Sequence, residues 1–162
     1  MVAAVVLAAG ASSRYGGIKQ LELLPAVLAA LRKARGIGDV VVVEGAHPLE
    51  AAGARVVRCD DWARGPGASL RAALAALGPE VTHALVVLAD GPALDPRAVE
   101  RLAARRHDAP VLAASYDGTR SHPVVLARAA WSEIPDEGAR ALEAVLVDTS
   151  DLRPPGDIDV RR

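Results

Sequence analysis

The chain has 162 residues, and its 19 basic and 20 acidic residues leave a formal net charge of −1. This length, with 51% hydrophobic residues, suits one domain spanning residues 1–162 with a single core. The charge balance excludes a nucleic-acid binder that works by neutralising phosphates, and the single cysteine, Cys59, excludes an intrachain disulfide. We therefore expect a small-molecule site and no nucleic-acid partner.

The first apolar run, residues 2–8, leads into a loop of small and basic residues. The run is too short to span a membrane, and no cation precedes it as in a signal peptide, so we expect a cytoplasmic protein with no membrane partner. The loop contains Gly10, Ser12, Ser13, Arg14 and Lys19. Small residues let backbone N–H groups approach a phosphate closely, and the two cations suit two phosphates of one nucleotide. The loop therefore predicts triphosphate binding.

Two better-known glycine loops fit this loop less well. A P-loop needs Gly-Lys-Ser/Thr, whereas Gly17 is followed by Ile18, Lys19 and Gln20. A dinucleotide-binding turn needs glycines where the chain has Ser12 and Tyr15. Glu44 lies at the end of the next apolar run, where a ribose-binding acid could lie, so dinucleotide binding stays open as an alternative.

Short apolar runs alternate with segments of helical spacing along the rest of the chain. The predicted strands are residues 2–8, 40–43, 54–57, 84–89, 111–114 and 124–127. The predicted helices are residues 27–35, 68–77, 96–106 and 138–145. This alternation predicts an α/β fold: a single-domain, three-layer α/β/α sandwich around a mostly parallel, Rossmann-like sheet. Ligands collect at the carboxyl ends of strands in such sheets, where Gly10, Asp90 and Ser115 fall.

Several acids and one histidine are candidates for chemistry, and each also has a structural interpretation. Asp90 follows an apolar strand and could hold Mg²⁺ against a nucleotide, or could simply open the Asp-Gly-Pro turn. Asp157 and Asp159 alternate along an extended segment and could supply a second metal carboxylate, or belong to a solvated tail. His122 could orient an acceptor or serve as a structural hydrogen-bonding group, and Asp136 could open a helix.

Taken together, these motifs resemble those of the molybdenum cofactor cytidylyltransferases and guanylyltransferases, within the GT-A-like nucleotidyltransferases. Residues 7–19 fit the first-loop pattern L-A-A/G-G-x-S-x-R-x-G-x-x-K, and residues 85–92, LVVLADGP, are similar to the strand that ends in the metal-binding aspartate. Four further segments resemble later motifs of the family: residues 62–74, Ser121-His122-Pro123, Asp136 with Gly138-Ala139-Arg140, and residues 157–159. The resemblance covers nearly the whole chain, in order.

The resemblance implies a Mg²⁺-dependent nucleotidyltransferase. The nucleotide-binding residues it implies are Leu7, Ala8, Ala9, Gly10, Ser12, Ser13, Arg14, Lys19, Gly65 and Ser69. The catalytic residues it implies are Arg14, Lys19 and Asp90, with Asp90 and Asp159 as metal ligands and Ser121, His122 and Asp136 facing the acceptor. Ala9-Gly10, where the guanylyl branch has Gly-Gly, favours CTP over GTP. The implied acceptor is a phosphorylated pterin, molybdopterin carrying its metal, and the implied protein partners are those of molybdoenzyme maturation.

Two alternatives remain. Lys19-Gln20 is similar to nucleotidyltransferases that use methylerythritol phosphate, so a sugar phosphate or methylerythritol phosphate is a second possible acceptor class. Gly91 stands where the family has Gln or Met, which leaves open a nucleotide-binding homologue without catalysis.

Overall fold

The structure, a computed structural model, describes residues 1–10 and 19–156. The strands in these ranges are β1 Val2–Leu7, β2 Asp39–Glu44, β3 Arg55–Arg58, β4 His83–Leu88, β5 Val111–Tyr116, β6 Thr119–Ala127 and β7 Val145–Asp148. The α-helices are α1 Lys19–Lys33, α2 Pro66–Ala75 and α3 Pro96–Ala104.

All of these strands belong to one sheet, in the order β3-β2-β1-β4-β6-β5-β7. Strands β1 to β4 pair in parallel, and their order, β3-β2-β1-β4, is that of the first four positions of a Rossmann sheet. Strand β6 runs antiparallel to both β4 and β5, whereas β7 pairs in parallel with β5. The prediction of a mostly parallel sheet is therefore confirmed, with β6 as the reversed strand.

Helices cover both faces of the sheet. Ala4 and Val6 of β1 belong to one core cluster with residues of α1 and α3, while Ala3 and Val5 belong to a second cluster with residues of α2. Successive side chains in a strand point to opposite faces, so a central strand of a three-layer fold must be apolar throughout. All four of these side chains have 0% exposure. The three-layer α/β/α prediction is confirmed.

The predicted helix at residues 138–145 is wrong. A 3₁₀ turn spans Ala139–Ala141, and the chain then forms the unpredicted strand β7. Gly138 has a φ of 92°, which a helix does not accommodate. Apolar residues of β7 add to the edge of β5, with Val145 opposite Leu112. Pairing with an available edge therefore outweighs the local helical spacing.

Helix α1 begins earlier than predicted, at Lys19, so that Pro25 lies inside it. Proline removes one helical hydrogen bond. Burial of Leu24, Val27 and Leu31 on one face of the helix outweighs that loss. The early start matters for the site because it places Lys19 in the first turn.

The remaining expectations concern local features. Asp95 caps α3, because its Oδ1 accepts a hydrogen bond from the N–H of Arg97 at 2.9 Å. Cys59 is buried and has no disulfide. None of the helices within residues 1–10 and 19–156 is both long and apolar enough to cross a membrane.

Candidate functional site

A cavity of about 350 Å³ opens at the carboxyl ends of β1 and β4. The end of β1 contributes Leu7, Ala8, Ala9 and Gly10 to its lining. Helix α1 contributes Lys19, the start of α2 contributes Gly65 and Ser69, and the turn after β4 contributes Asp90. The fold therefore gathers these sequence-predicted residues around one space. Ser12, Ser13, Arg14, Asp157 and Asp159 lie outside the described residues.

Lys19 and Asp90 form an ion pair within this first cavity. Lys19 Nζ lies 3.1 Å from Asp90 Oδ2, and the two side chains are 14% and 23% exposed. Seventy-one residues separate them in the chain. The close approach is possible because β1 and β4 pair in parallel, so that both strands end at the same edge of the sheet.

The second oxygen of Asp90 is suited to a cation. Asp90 Oδ1 is buried and has no hydrogen-bond partner among the described residues. A buried carboxylate oxygen without a partner is costly, and a bound cation would satisfy it. The described ranges contain no cluster of three or more His, Cys, Asp or Glu side chains that could hold a metal. A cation at Asp90 would therefore take other ligands from phosphates, water or residues outside those ranges, as Mg²⁺ commonly does.

The N-terminus of α2 also borders the first cavity. Gly65, directly before the helix, has a φ of 132°, and a Cβ there would lie 2.4 Å from the backbone oxygen of Asp136. Only glycine fits this position without strain. A helix N-terminus carries partial positive charge, so it complements Lys19 in attracting phosphates.

Gln20 and Trp62 line the first cavity, although neither was among the predicted site residues. Gln20 is 6% exposed, and its Nε2 donates to the carbonyl oxygen of Gly10 at 2.7 Å. Trp62 packs so closely on Gly45 that a Cβ at Gly45 would lie 2.6 Å from the tryptophan Cβ. The Lys19-Gln20 dipeptide was the available sequence signal for Gln20, but its contact with Gly10 depends on how α1 folds back.

A second cavity of about 470 Å³ adjoins the first, and both include Leu7, Pro66 and Leu88 in their linings. Much of the remaining lining of the second cavity is apolar: Leu70, Val86, Val124 and Ala139. Its polar lining residues are Arg120, Ser121, His122, Glu137 and Arg140. The structure thus places two of the three predicted acceptor residues, Ser121 and His122, at this second cavity.

Asp136, the third predicted acceptor residue, is not part of that lining. Arg71 Nη2 donates to its Oδ1 at 2.5 Å, and Arg64 Nη2 lies 3.4 Å from its Oδ2. The hydrogen bond from Arg71 and the nearby charge of Arg64 hold the pKa of the Asp136 carboxyl below its usual value. The contacts of this carboxylate therefore join α2 to the segment before Gly138.

The second cavity carries positive charge that the sequence analysis did not single out. Arg120 is half-buried, and it donates to two neutral carbonyls, at 2.7 Å to Leu142 and 2.9 Å to Ala139. Neither Arg120 nor Arg140 has an ion pair within the described residues, and Glu137 is the only acid in the described lining. The two arginines against one glutamate favour an anionic ligand.

Glu44, the residue that left dinucleotide binding open, has structural contacts. Its Oε2 accepts from the N–H of Leu49 at 2.8 Å, and its Oε1 lies 3.6 Å from Arg58 Nη1. The carboxylate is therefore engaged by protein groups, and the structure does not support it as a ribose ligand.

Comparison with solved structures shows the same fold in several nucleotidyltransferases and related proteins. Rv0371c from Mycobacterium tuberculosis H37Rv is 26% identical, with a TM-score of 0.81 over 98% of this chain and 93% of that chain. A complex of Rv0371c with manganese is 24% identical, with a TM-score of 0.76 over 91% and 88% of the two chains. Mth528, a nucleotidyl transferase from Methanothermobacter thermautotroptrophicus, is 23% identical, with a TM-score of 0.68 over 85% and 78%.

A CMP:2-keto-3-deoxy-manno-octonic acid synthetase complexed with CTP also has this fold, with 14% identity and a TM-score of 0.76 over 98% of this chain and 93% of that chain. No curated protein matches the sequence at a significant level. The family described as "MobA-like NTP transferase domain" matches residues 4–150, which is most of the chain. The chain therefore belongs to the MobA-like NTP transferase family and is a nucleotidyltransferase.

Proposed function

We propose that this protein transfers a nucleoside monophosphate, from CTP in preference to GTP, to the phosphate of molybdopterin carrying its metal, and releases pyrophosphate. The observation that carries the proposal is the junction of two cavities at Leu7, Pro66 and Leu88. A transfer between two phosphates requires both to be held side by side, and positioning supplies much of the rate of such reactions. A cytoplasmic location and contacts with molybdoenzyme maturation proteins would accompany this acceptor.

The first cavity suits the triphosphate. Gly10 and the start of α2 offer backbone N–H groups, and Lys19 offers a charge beside Asp90. The acceptor phosphate is already an anion, so the reaction needs charge neutralisation more than a strong general base. In this proposal Lys19 lies near the transferred phosphate, while Arg14, with Ser12 and Ser13, holds the departing pyrophosphate.

Asp90 is the proposed ligand for Mg²⁺, with Asp159 as the second carboxylate. The buried Oδ1 of Asp90, which has no partner among the described residues, supports the first assignment. The manganese bound in Rv0371c supports a divalent cation in this fold. A bound Mg²⁺ would neutralise charge on the phosphate oxygens. Asp90 would hold it, and Lys19 would orient the Asp90 carboxylate through their ion pair at 3.1 Å.

The second cavity suits an anion with a flat ring, whose faces can pack on apolar side chains, better than a sugar phosphate. The hydroxyl groups of a sugar would need hydrogen-bond partners, because burying them against apolar side chains is costly. Leu70, Val86 and Val124 offer none from their side chains, whereas Arg120 and Arg140 could meet a phosphate. A phosphorylated pterin combines such an anion with a flat ring, and the polar edge of that ring would bind polar lining residues such as Ser121 and Glu137. In this proposal Ser121 contacts the acceptor, while His122 and Asp136 belong to the acceptor side through the contacts they make with the protein.

Methylerythritol phosphate or a sugar phosphate is the second candidate acceptor, supported by the similarity of Lys19-Gln20 to nucleotidyltransferases that use methylerythritol phosphate. The two candidates therefore need a direct functional comparison.

Pyrophosphate release tests the proposal. CTP or GTP is supplied with Mg²⁺, with and without molybdenum cofactor, and with methylerythritol phosphate or a sugar phosphate in parallel. We expect release that prefers CTP, requires the molybdenum cofactor and falls by about 100-fold or more in Asp90→Asn, because the metal ligand is lost.

The matched control is Asp108→Asn, which alters an exposed aspartate paired with Arg105. It should keep the wild-type rate. Release that depends on a sugar phosphate or methylerythritol phosphate would favour the second candidate. Tight CTP binding without release from any acceptor would identify a nucleotide-binding homologue that lacks catalysis.

A further inference from the structure

The side chain of His122 takes the place of a backbone partner at the end of β4. The N–H of Ala89 donates to Leu7 of β1 at 3.1 Å, so the preceding N–H, that of Leu88, points to the other side, toward β6. The regular β4–β6 pairing ends at Val86 opposite Val124, two residues earlier. The Nδ1 of His122 then accepts from the N–H of Leu88 at 3.5 Å, the long end of the hydrogen-bond range.

The ring of His122 also packs against Gly91, the residue after Asp90. A Cβ at Gly91 would lie 2.9 Å from His122 Cε1, 3.0 Å from its Nε2 and 2.9 Å from the Cβ of Pro155. These distances are shorter than side chains tolerate. The absence of a side chain at Gly91 therefore lets both His122 and Pro155 pack closely against the turn.

The same turn is also tied to the C-terminal segment. The N–H of Ala93 donates to the carbonyl oxygen of Pro155 at 2.9 Å. His122 is 7% exposed, so nearly all of its side-chain surface is used in contacts with the protein. His122 therefore contacts the chain on both sides of Asp90. Its Nδ1 binds Leu88, before Asp90, and its ring edge packs on Gly91, after Asp90.

We propose that His122 is a positioning residue that holds the turn carrying Asp90, and that Gly91 is the matching partner that makes room for it. This inference rests on the proposed function, since it assigns His122 to the Asp90 cation site rather than to direct recognition of the acceptor. The contact also gives a reason for the departure at Gly91: the space that a longer side chain would fill is occupied by His122 and Pro155.

Three substitutions separate the two contacts of the ring. His122→Phe keeps the bulk of the ring but removes the acceptor for Leu88. His122→Asn keeps an acceptor near the position of Nδ1 but removes the ring edge that touches Gly91. Gly91→Ala keeps His122 and adds a methyl group into the contact.

The first measurement is the affinity for Mn²⁺ in the presence of CTP. The electron paramagnetic resonance signal of free Mn²⁺ reports how much of the ion is bound. We expect His122→Phe and Gly91→Ala to weaken Mn²⁺ binding by about tenfold, the usual effect of disturbing a group that orients a metal ligand. Gly91→Ala should reduce the Mn²⁺ affinity less in the His122→Asn background than in the wild type, because the Cε1 and Nε2 atoms of His122, which a Cβ at Gly91 would meet, are absent there. The controls are Gly78→Ala, where the atoms nearest to a Cβ belong to the Glu80 side chain, and His107→Phe, at an exposed histidine. Each should change the Mn²⁺ affinity by less than about twofold.

The second measurement needs neither metal nor nucleotide. Amide hydrogen exchange of Leu88, followed by NMR on the folded protein, should be about tenfold faster in His122→Phe and close to wild type in His122→Asn. Circular dichroism and thermal unfolding establish that each variant is folded. If His122→Phe does not fold, the Mn²⁺ affinities of Gly91→Ala and His122→Asn are compared with that of the wild type instead.

Unchanged Mn²⁺ affinity in folded His122→Phe and Gly91→Ala would overturn the inference, all the more if only the KM for the acceptor rises. Failure of the proposed function has a different signature. In that case the wild type itself binds no Mn²⁺ with CTP and releases no pyrophosphate, whereas Leu88 exchange still responds to His122.

Discussion

At the scale of single residues, the ion pair between Lys19 and Asp90 sets the charge in the first cavity. Their ion pair at 3.1 Å uses one oxygen of Asp90 and leaves the other buried, with no hydrogen-bond partner among the described residues. Both residue types were predictable, since each follows a strand and suits a phosphate or a metal. Gln20 was not predicted, because a buried amide that holds a backbone carbonyl resembles any other polar residue at a helix start.

We expect Gln20→Leu to weaken CTP binding by about tenfold. The substitution removes the hydrogen bond that Gln20 Nε2 donates to the carbonyl of Gly10 at 2.7 Å, so the end of β1 in the first cavity loses a fixed contact. A hydrogen bond of this kind contributes about 0.5–1.5 kcal/mol. Isothermal titration calorimetry with CTP measures the effect. Lys33→Leu, at the exposed far end of α1, is the matched control. A fall in thermal stability with unchanged CTP affinity would show that Gln20 supports the helix and not the site.

Among the elements, the C-terminal segment departs most from sequence expectation. Helices α2 and α3 lie within a few residues of their predictions, because apolar spacing and the Asp95 cap are local signals. The segment predicted as a helix at 138–145 instead yields β7, and residues 149–156 then pass beside α3. Arg101 of α3 binds this segment through two hydrogen bonds to Asp151, at 2.7 and 2.9 Å.

Acid should remove the contribution of the Arg101–Asp151 pair. The hydrogen bond from Arg101 lowers the pKa of Asp151 from 3.8 to about 2. The Asp151 carboxyl therefore binds a proton more readily in the unfolded chain than in the folded one. The ion pair stabilises the fold at pH values above 3.8, and this contribution is lost as the pH falls toward about 2. The stability difference between the wild type and Arg101→Gln should shrink across that interval, as measured by urea unfolding.

Arg105→Gln is the control for this experiment, because it removes an exposed pair with Asp108 within one short segment. A gap between the wild type and Arg101→Gln that stays constant down to pH of about 2 would mean that packing, not the ion pair, explains the effect.

At the scale of the whole molecule, the two ends of the sheet differ in chemistry. The carboxyl ends of the strands carry the two cavities, whereas the start of β4 carries His83 beside the ring of His107, with centroids 5.0 Å apart. Burial, then the charges of His107, Arg106 and the N-terminal amine, lower the pKa of His83. The folded protein therefore resists protonation at this end of the sheet.

We expect the free energy of unfolding to fall as the pH drops below about 6.5. The unfolded chain protonates His83 at its ordinary pKa of 6.5, and the folded chain does so only at lower pH, so acid favours unfolding. Urea unfolding at pH of about 7.5 and 5.5 measures the change. His83→Gln should show a smaller fall than the wild type, and His107→Gln an intermediate one. An equal fall in His83→Gln would assign the acid sensitivity to other groups.

Much of the fold and part of the site could be read from local patterns. Alternation of apolar runs with helical spacing predicts the layers and most strands, because both periodicities are properties of short segments. The composition of the loop after β1 and the acid after β4 likewise indicates phosphate and cation chemistry at the carboxyl ends of strands. These features need only residue type and spacing.

The amino-acid sequence by itself thus determined the α/β class, the order of elements up to β6, and the residue types at the strand ends. Only the tertiary structure decided that β7 adds to β5, that Arg120 brings charge to a second cavity, and that Gly91 makes room for His122. The physical reason is distance along the chain. Such contacts join segments through packing and strand pairing, and their energies depend on neighbours that no local pattern specifies.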